Sequence, residues 1–320
     1  MDKDHDFKIA TSEKAHEITE DGRFLRQQNR FTTPFGTGEG ELPAEAGRYR
    51  LLWARICPWA HRAVIVRELL GLQNVISLGT ASPERTDKGW AFTLDEGGID
   101  PVLGIRYLPE IYAATDPEYT GRATVPTLVD VKTREVVNND YFRLTNYLET
   151  AFQPFHKKGA PDLYPEMLRD DIDALNEILF NEVNNGVYKA GFAESQEAYE
   201  NAYDVLFARL DWLEERLSKQ RYLFGNQITD SDVRLYVTLA RFDAAYYLVF
   251  RTNRNRLVDF PNLWAYARDL YQTPGFGSTT DFDAIKRGYQ LGNVAANPFR
   301  ILPKGPDLSG WNTPHHREEV

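Results

Sequence analysis

An apolar run, Tyr49-Arg50-Leu51-Leu52-Trp53-Ala54, ends at Arg55-Ile56, and a helical spacing of Ala63, Val64, Val66, Leu69 and Leu70 begins just past Cys57-Pro58. A strand that hands over to a helix at Cys-Pro sets the sulfur at the helix N-terminus. Proline suits the first helical position because its missing N–H would have no partner there. Free backbone N–H groups and the helix dipole favour an anion at that point. Such surroundings lower a thiol pKa from about 8.5 into the range of roughly 3.5–7.5. Arg55, Arg62 and His61 are expected to add positive charge. Cys57 is the one cysteine of 320 residues, and Ala60 stands where a C-x-x-C redox motif carries its second cysteine. The expected site is therefore monothiol. A free cysteine is also a common inert core residue, and that alternative stands beside the reactive one.

Along the chain, residues 1–43 read as a polar arm lying on the surface. The first strand is expected at 48–56, the first helix at 59–70 and a second strand at 75–78. Residues 79–119, rich in glycine and proline, read as an insertion with one helix near 105–114. Order returns with a strand at 124–130, a turn, a strand at 135–138 and a helix at 141–151 capped by Asn139-Asp140. Val125-Pro126 at the entry to the third strand suggests a cis peptide, since cis bonds are largely confined to X-Pro. That geometry would turn the Val125 backbone toward Cys57, ready to pair with a peptide-like ligand. An ordinary proline at a strand start is the alternative. This order gives an α/β thioredoxin-like domain over 44–151.

After a linker at 152–163, helical spacing dominates over 164–188, 195–217, 230–250 and 260–272. The second domain, 164–320, is thus expected to be all-α. Thr229-Asp230-Ser231-Asp232 reads as a capping-box variant, and 275–311 as an irregular tail.

The net charge of −10 argues against a nucleic-acid partner. No apolar run approaches the roughly 18 residues of a membrane span. The acidic start lacks a signal peptide's apolar stretch, and one cysteine permits no internal disulfide, so a cytoplasmic location is expected. The six histidines, His5, His16, His61, His156, His315 and His316, show no metal-ligand spacing. No metal is expected.

Five blocks in order carry a resemblance: Cys57-Pro58-Trp59-Ala60-His61-Arg62, Gly89-Trp90, Val125-Pro126-Thr127-Leu128, Asn184-Asn185-Gly186-Val187-Tyr188-Lys189-Ala190-Gly191-Phe192-Ala193 and Arg241-Phe242-Asp243. From about residue 23 to 297 the chain resembles the glutathionyl-hydroquinone reductases, the xi class of glutathione transferases. The resemblance implies the glutathione transferase architecture and a homodimer formed through the helical domain. It implies that Cys57 attacks the sulfur of an S-conjugated hydroquinone, leaving a mixed disulfide that a second thiol resolves. The absence of a second cysteine independently requires that thiol to come from solution. It further implies that Trp90 and the Val125-Pro126 backbone hold the thiol, and that Tyr188, Tyr246 and Tyr289 face the aromatic substrate. Each tyrosine can equally be a packing aromatic.

One departure stands out. Members that use glutathione carry Glu-Ser where this chain has Asp140-Tyr141. Asp140 can still pair with an ammonium, or simply cap the helix, but Tyr141 replaces a small hydroxyl with a ring. No bound cofactor is expected; the cosubstrate is glutathione or another low-molecular-weight thiol such as mycothiol. Two alternatives use the same cysteine: a thiol transferase acting on mixed disulfides, and a non-catalytic thiol-binding redox sensor.

Overall fold

The computed structural model describes residues 17–292 and 296–320. Its sheet consists of β1 (Tyr49–Ala54), β2 (Ile76–Ala81), β3 (Thr127–Asp130) and β4 (Glu135–Asn138) in the order β2-β1-β3-β4. β1 runs parallel to β2 and antiparallel to β3, with Tyr49 opposite both Ile76 and Asp130. Every β1 residue is buried, which fits a central strand covered on both faces. The parallel β1–β2 pair requires a crossover, supplied by α1 (Pro58–Leu70). The helices α2 (Leu108–Thr115) and α3 (Leu144–Thr150) complete this part. The order is that of a thioredoxin-like domain, as expected.

The rest of the chain is helical. It comprises α4 (Arg169–Leu179), α5 (Gly186–Gly191), α6 (Gln196–Leu217), α7 (Asp230–Arg241), the single turn α8 (Tyr247–Val249), α9 (Pro261–Gln272) and α10 (Phe282–Leu291). α1 packs on α7, so the thioredoxin-like and helical parts meet beside Cys57. The capping box before α7 forms as read: Asp232 Oδ2 accepts from the Thr229 N–H at 2.7 Å.

Three expectations need correction. The segments at 164–188 and 230–250 are not continuous helices. Each is broken by one wide turn, Phe180–Asn184 and Phe242–Tyr246, in which the Asn185 and Tyr247 N–H groups reach back five residues to the Phe180 and Phe242 carbonyls. The tail is not wholly irregular, since α10 lies within it. The arm does not simply lie on the surface: Phe24 and Phe35 are buried, and Thr32 bridges Asn138 at the edge of β4. Its start, residues 1–16 with His5 and His16, lies outside the described residues. No helix among the described residues is long and apolar enough to cross a membrane.

Candidate active site

Cys57 caps α1 from an extended conformation, with Pro58 first in the helix. Its thiol donates to the Val125 carbonyl at 3.3 Å, across a cis Val125-Pro126 bond. The turn that presents it is clamped from the helical part. Arg241, at the end of α7, donates from Nε to the Ile56 carbonyl at 2.7 Å and from Nη2 to the Arg55 carbonyl at 3.0 Å. Behind the sulfur, Arg62 donates to Asn184 Oδ1 at 2.7 Å, and Asn184 in turn donates to the Arg234 carbonyl and Thr238, both at 2.8 Å. Burial pushes the Arg62 guanidinium down to about 9. The block that begins at Asn184 therefore ties α1 to α7.

The electrostatics differ from the sequence reading. The Cys57 thiol is pushed up, not down. Burial of the sulfur is the largest cause, and the Ala60 and Trp59 N–H groups with the Arg241 and Arg26 charges oppose it without prevailing. Nor does His61 add charge. Arg241 can only donate, so His61 Nδ1 accepts from it at 3.2 Å and Nε2 carries the proton that meets Thr279 at 2.9 Å. Burial, then the Arg241 and Arg55 charges, hold that imidazole well below its usual range and neutral. Arg55 itself turns to Asp281 at 3.6 Å.

A raised pKa means a small thiolate fraction at neutral pH. The alkylation rate of Cys57 is therefore expected to climb with pH to a midpoint above about 8.5, the free-thiol value. Iodoacetamide kinetics across pH 6–11 measure this. A midpoint below about 7 would mean that the helix N-terminus and the arginines outweigh burial.

The three tyrosines come together. Tyr188 on α5 and Tyr289 on α10 share a short hydroxyl contact, Tyr246 lies 3.1 Å from Tyr289, and Tyr188 to Tyr246 is 3.4 Å. Burial raises all three, so they stand as neutral hydroxyls. The Tyr188 ring lies 5.8 Å from Trp59, and Cys57 is among the charges that act on its hydroxyl. Both wide turns serve this cluster, one just before Tyr188 and one ending at Tyr246; such turns recur at functional sites.

Trp90 is buried, with the Arg85 guanidinium 4.6 Å over its ring. Asp140 Oδ1 accepts from the Phe142 and Arg143 N–H groups at 3.0 and 3.2 Å and so closes the turn before α3, which starts at Leu144 rather than at Tyr141 and has no side-chain cap. The Tyr141 ring lies 5.1 Å from Trp59 and stacks on Phe180 at 6.0 Å. It thus fills the corner between the start of α1 and the helical part.

Sequence reasoning missed a group of arginines. Arg26 lies over Trp59 and Tyr188 at 4.6 and 4.7 Å. Arg122 donates to both carboxylate oxygens of Glu17 at 2.7 Å. Phe24 is buried and Arg26 half-buried two residues on, on the same face of an extended segment, but Gly22-Arg23-Phe24-Leu25-Arg26 shows no alternation in sequence that would have marked it. Among the described residues, no cluster of His, Cys, Asp and Glu is placed to hold a metal.

Residues 56–151 match the glutathione S-transferase N-terminal domain family and 196–269 the glutathione S-transferase C-terminal domain family. The glutathionyl-hydroquinone reductase YqjG of Escherichia coli is 40% identical, with 93% of each chain covered. Its glutathione-bound structure superposes with a TM-score of 0.83 over 93% of this chain and 98% of that one. A glutathione transferase from Gordonia bronchialis is 55% identical, with a TM-score of 0.85 over 87% and 86% of the two chains. The xi glutathione transferase of Phanerochaete chrysosporium is 39% identical, with a TM-score of 0.87 over 92% and 95%.

Proposed function

The chain belongs to the glutathionyl-hydroquinone reductases, the xi-class glutathione transferases, and on that premise we propose that it removes a low-molecular-weight thiol from S-conjugated hydroquinones through Cys57. The Cys57 sulfur, as thiolate, forms a sulfur–sulfur bond to the conjugate's thioether sulfur. The conjugate reacts as its keto tautomer, so the carbon–sulfur bond beside the carbonyl breaks and its electron pair passes into the carbonyl, giving an oxygen anion that takes up a proton and departs as free hydroquinone. A second thiol then attacks the mixed disulfide, releasing a soluble disulfide and restoring Cys57.

The observation that carries this reading is the meeting of a lone thiol with three neutral, mutually hydrogen-bonded tyrosine hydroxyls. Donors set where negative charge appears only as the bond breaks stabilise the transition state rather than the bound substrate. Exchange of mixed disulfides, or redox sensing, would need Cys57 but no such cluster. Trp90 and the Val125-Pro126 backbone are the proposed thiol contacts, the latter supported by the sulfur–carbonyl approach at 3.3 Å. The proposed assembly is a homodimer through the helical part.

The cosubstrate is a low-molecular-weight thiol, glutathione or another such as mycothiol, and weak use of glutathione is proposed. Tyr141 supports this, since its ring fills the corner where glutathione users have a small hydroxyl. A carboxylate buried there without partners costs roughly 1–3 kcal/mol, or about tenfold to a hundredfold in affinity. Tyr141→Ser is therefore expected to raise kcat/KM for glutathione by that factor. Efficient turnover of the unaltered protein with millimolar glutathione, and no gain on substitution, would contradict weak use of glutathione.

A further inference from the structure

Arg26 has no role in the reading above, and its surroundings are unusually complete. The arm carries it into the cleft, where its guanidinium lies 4.6 Å over Trp59, 4.7 Å over Tyr188 and 5.2 Å from Phe24. Nε donates to Asn185 Oδ1 at 2.8 Å, which fixes the plane of the fork. Nη2 is buried and has no acceptor. An orphaned buried donor on a cation is expensive and calls for an explanation. The two rings that hold the guanidinium belong to the residue two after Cys57 and to the proposed hydroxyl cluster, so it lies beside the residues that carry the nucleophile and the aromatic site.

We propose that Arg26 is a positioning residue whose unpaired Nη2–H meets the negative charge that forms on Cys57 and passes toward the tyrosine hydroxyls. The inference deepens the reductase reading for the same site. The arm thereby becomes part of the catalytic apparatus rather than a cover. The Arg26 charge lowers the Cys57 thiol and the Tyr188 and Tyr141 hydroxyls, against the larger effect of burial.

Other titratable groups act on the sulfur. Arg241 approaches from α7, Arg62 from α1, Arg85 from the stretch after β2, and Tyr188 from α5. Arg241 is spent on backbone carbonyls and His61; Arg62, bonded to Asn184 and lying 4.7 Å over Trp59, and Arg85, over Trp90, also keep buried N–H groups without an acceptor. Arg26 alone of the four is clasped between a ring beside Cys57 and the ring of Tyr188.

The test compares Arg26→Gln with Arg26→Lys in the full chain. Glutamine keeps the length and a donor for Asn185 but loses the charge; lysine keeps the charge and loses the planar fork. The readout is the iodoacetamide titration of Cys57, which needs no hydroquinone substrate. Failure of the reductase reading therefore leaves this result interpretable. An opposite charge a few ångströms away shifts a pKa by one unit or more, so the midpoint in Arg26→Gln is expected to rise by about one unit and to return in Arg26→Lys. Below the midpoint, the same shift lowers kcat/KM about tenfold. An unmoved midpoint in Arg26→Gln, or an equal shift in both variants, would overturn the proposal and leave Arg26 as packing.

Discussion

Cys57→Ser is expected to lose reductase turnover by on the order of 10³-fold or more, as removal of a covalent nucleophile does elsewhere. A serine hydroxyl does not ionise near neutral pH, and an oxygen cannot form the mixed disulfide at all. The fold should persist, because Ser is smaller by a fraction of an atom's volume and its hydroxyl can still donate to the Val125 carbonyl that now accepts from the thiol. The measurement is steady-state release of hydroquinone from an S-conjugated hydroquinone, with circular dichroism as the control for folding. Turnover near that of the unaltered protein would remove Cys57 from the chemistry and leave the tyrosine cluster to be explained some other way.

Tyr188→Phe is expected to lower kcat by on the order of 10²-fold, the usual cost of one lost oxyanion donor, while KM for conjugate and second thiol changes little. The ring survives the substitution, so its contacts with Trp59, Phe192 and Phe250 remain and only the hydroxyl goes. Tyr289 and Tyr246 lie within hydrogen-bond reach of the same oxygen and can cover part of the loss. A rise in KM alone would identify Tyr188 as a binding or packing residue. The split between kcat and KM decides the matter, because charge on the hydroquinone oxygen exists only as the carbon–sulfur bond breaks.

The thioredoxin-like part was legible because its signals are local. Strand, Cys-Pro and helix follow one another within residues 49–70, and β4 was read at its observed bounds. What sequence could not convey is burial around the sulfur. Val125, Tyr188 and Arg241 lie 68, 131 and 184 positions beyond Cys57, and their packing removes the water that would otherwise favour the thiolate. The helix N-terminus is real, yet it is the smaller effect.

The wide turns at Phe180–Asn184 and Phe242–Tyr246 escape a periodicity argument for another reason. One added residue barely disturbs an apolar spacing, although it rotates everything beyond it. That rotation belongs to the two segments carrying Tyr188 and Tyr246. α10 was hidden by Gly275, Gly277, Gly292 and Pro298 around it, which read as breaks. Within it, a Cβ at Gly288 would come within 2.2 Å of Ile56 Cδ1 and 2.8 Å of the Pro83 carbonyl, so glycine is required for the helix to close against the Cys57 turn. Phe282, Ile285 and Tyr289 keep helical spacing across that glycine. The arginines were missed because a cation in a polar arm has no local reason to be buried; aromatic faces supplied by Trp59 and Tyr188 make that burial possible.

The most direct test of the account is a single turnover followed by intact mass spectrometry. The protein is mixed with an S-conjugated hydroquinone in the absence of any second thiol, at a pH where alkylation has shown the thiolate to be present. The account predicts one adduct per chain, confined to Cys57, with the mass of the thiol less two hydrogens, and one equivalent of free hydroquinone. Adding a thiol should then discharge the adduct as a soluble disulfide. Release of hydroquinone without an adduct, or an adduct on Cys57 that retains the aromatic ring, would contradict the account.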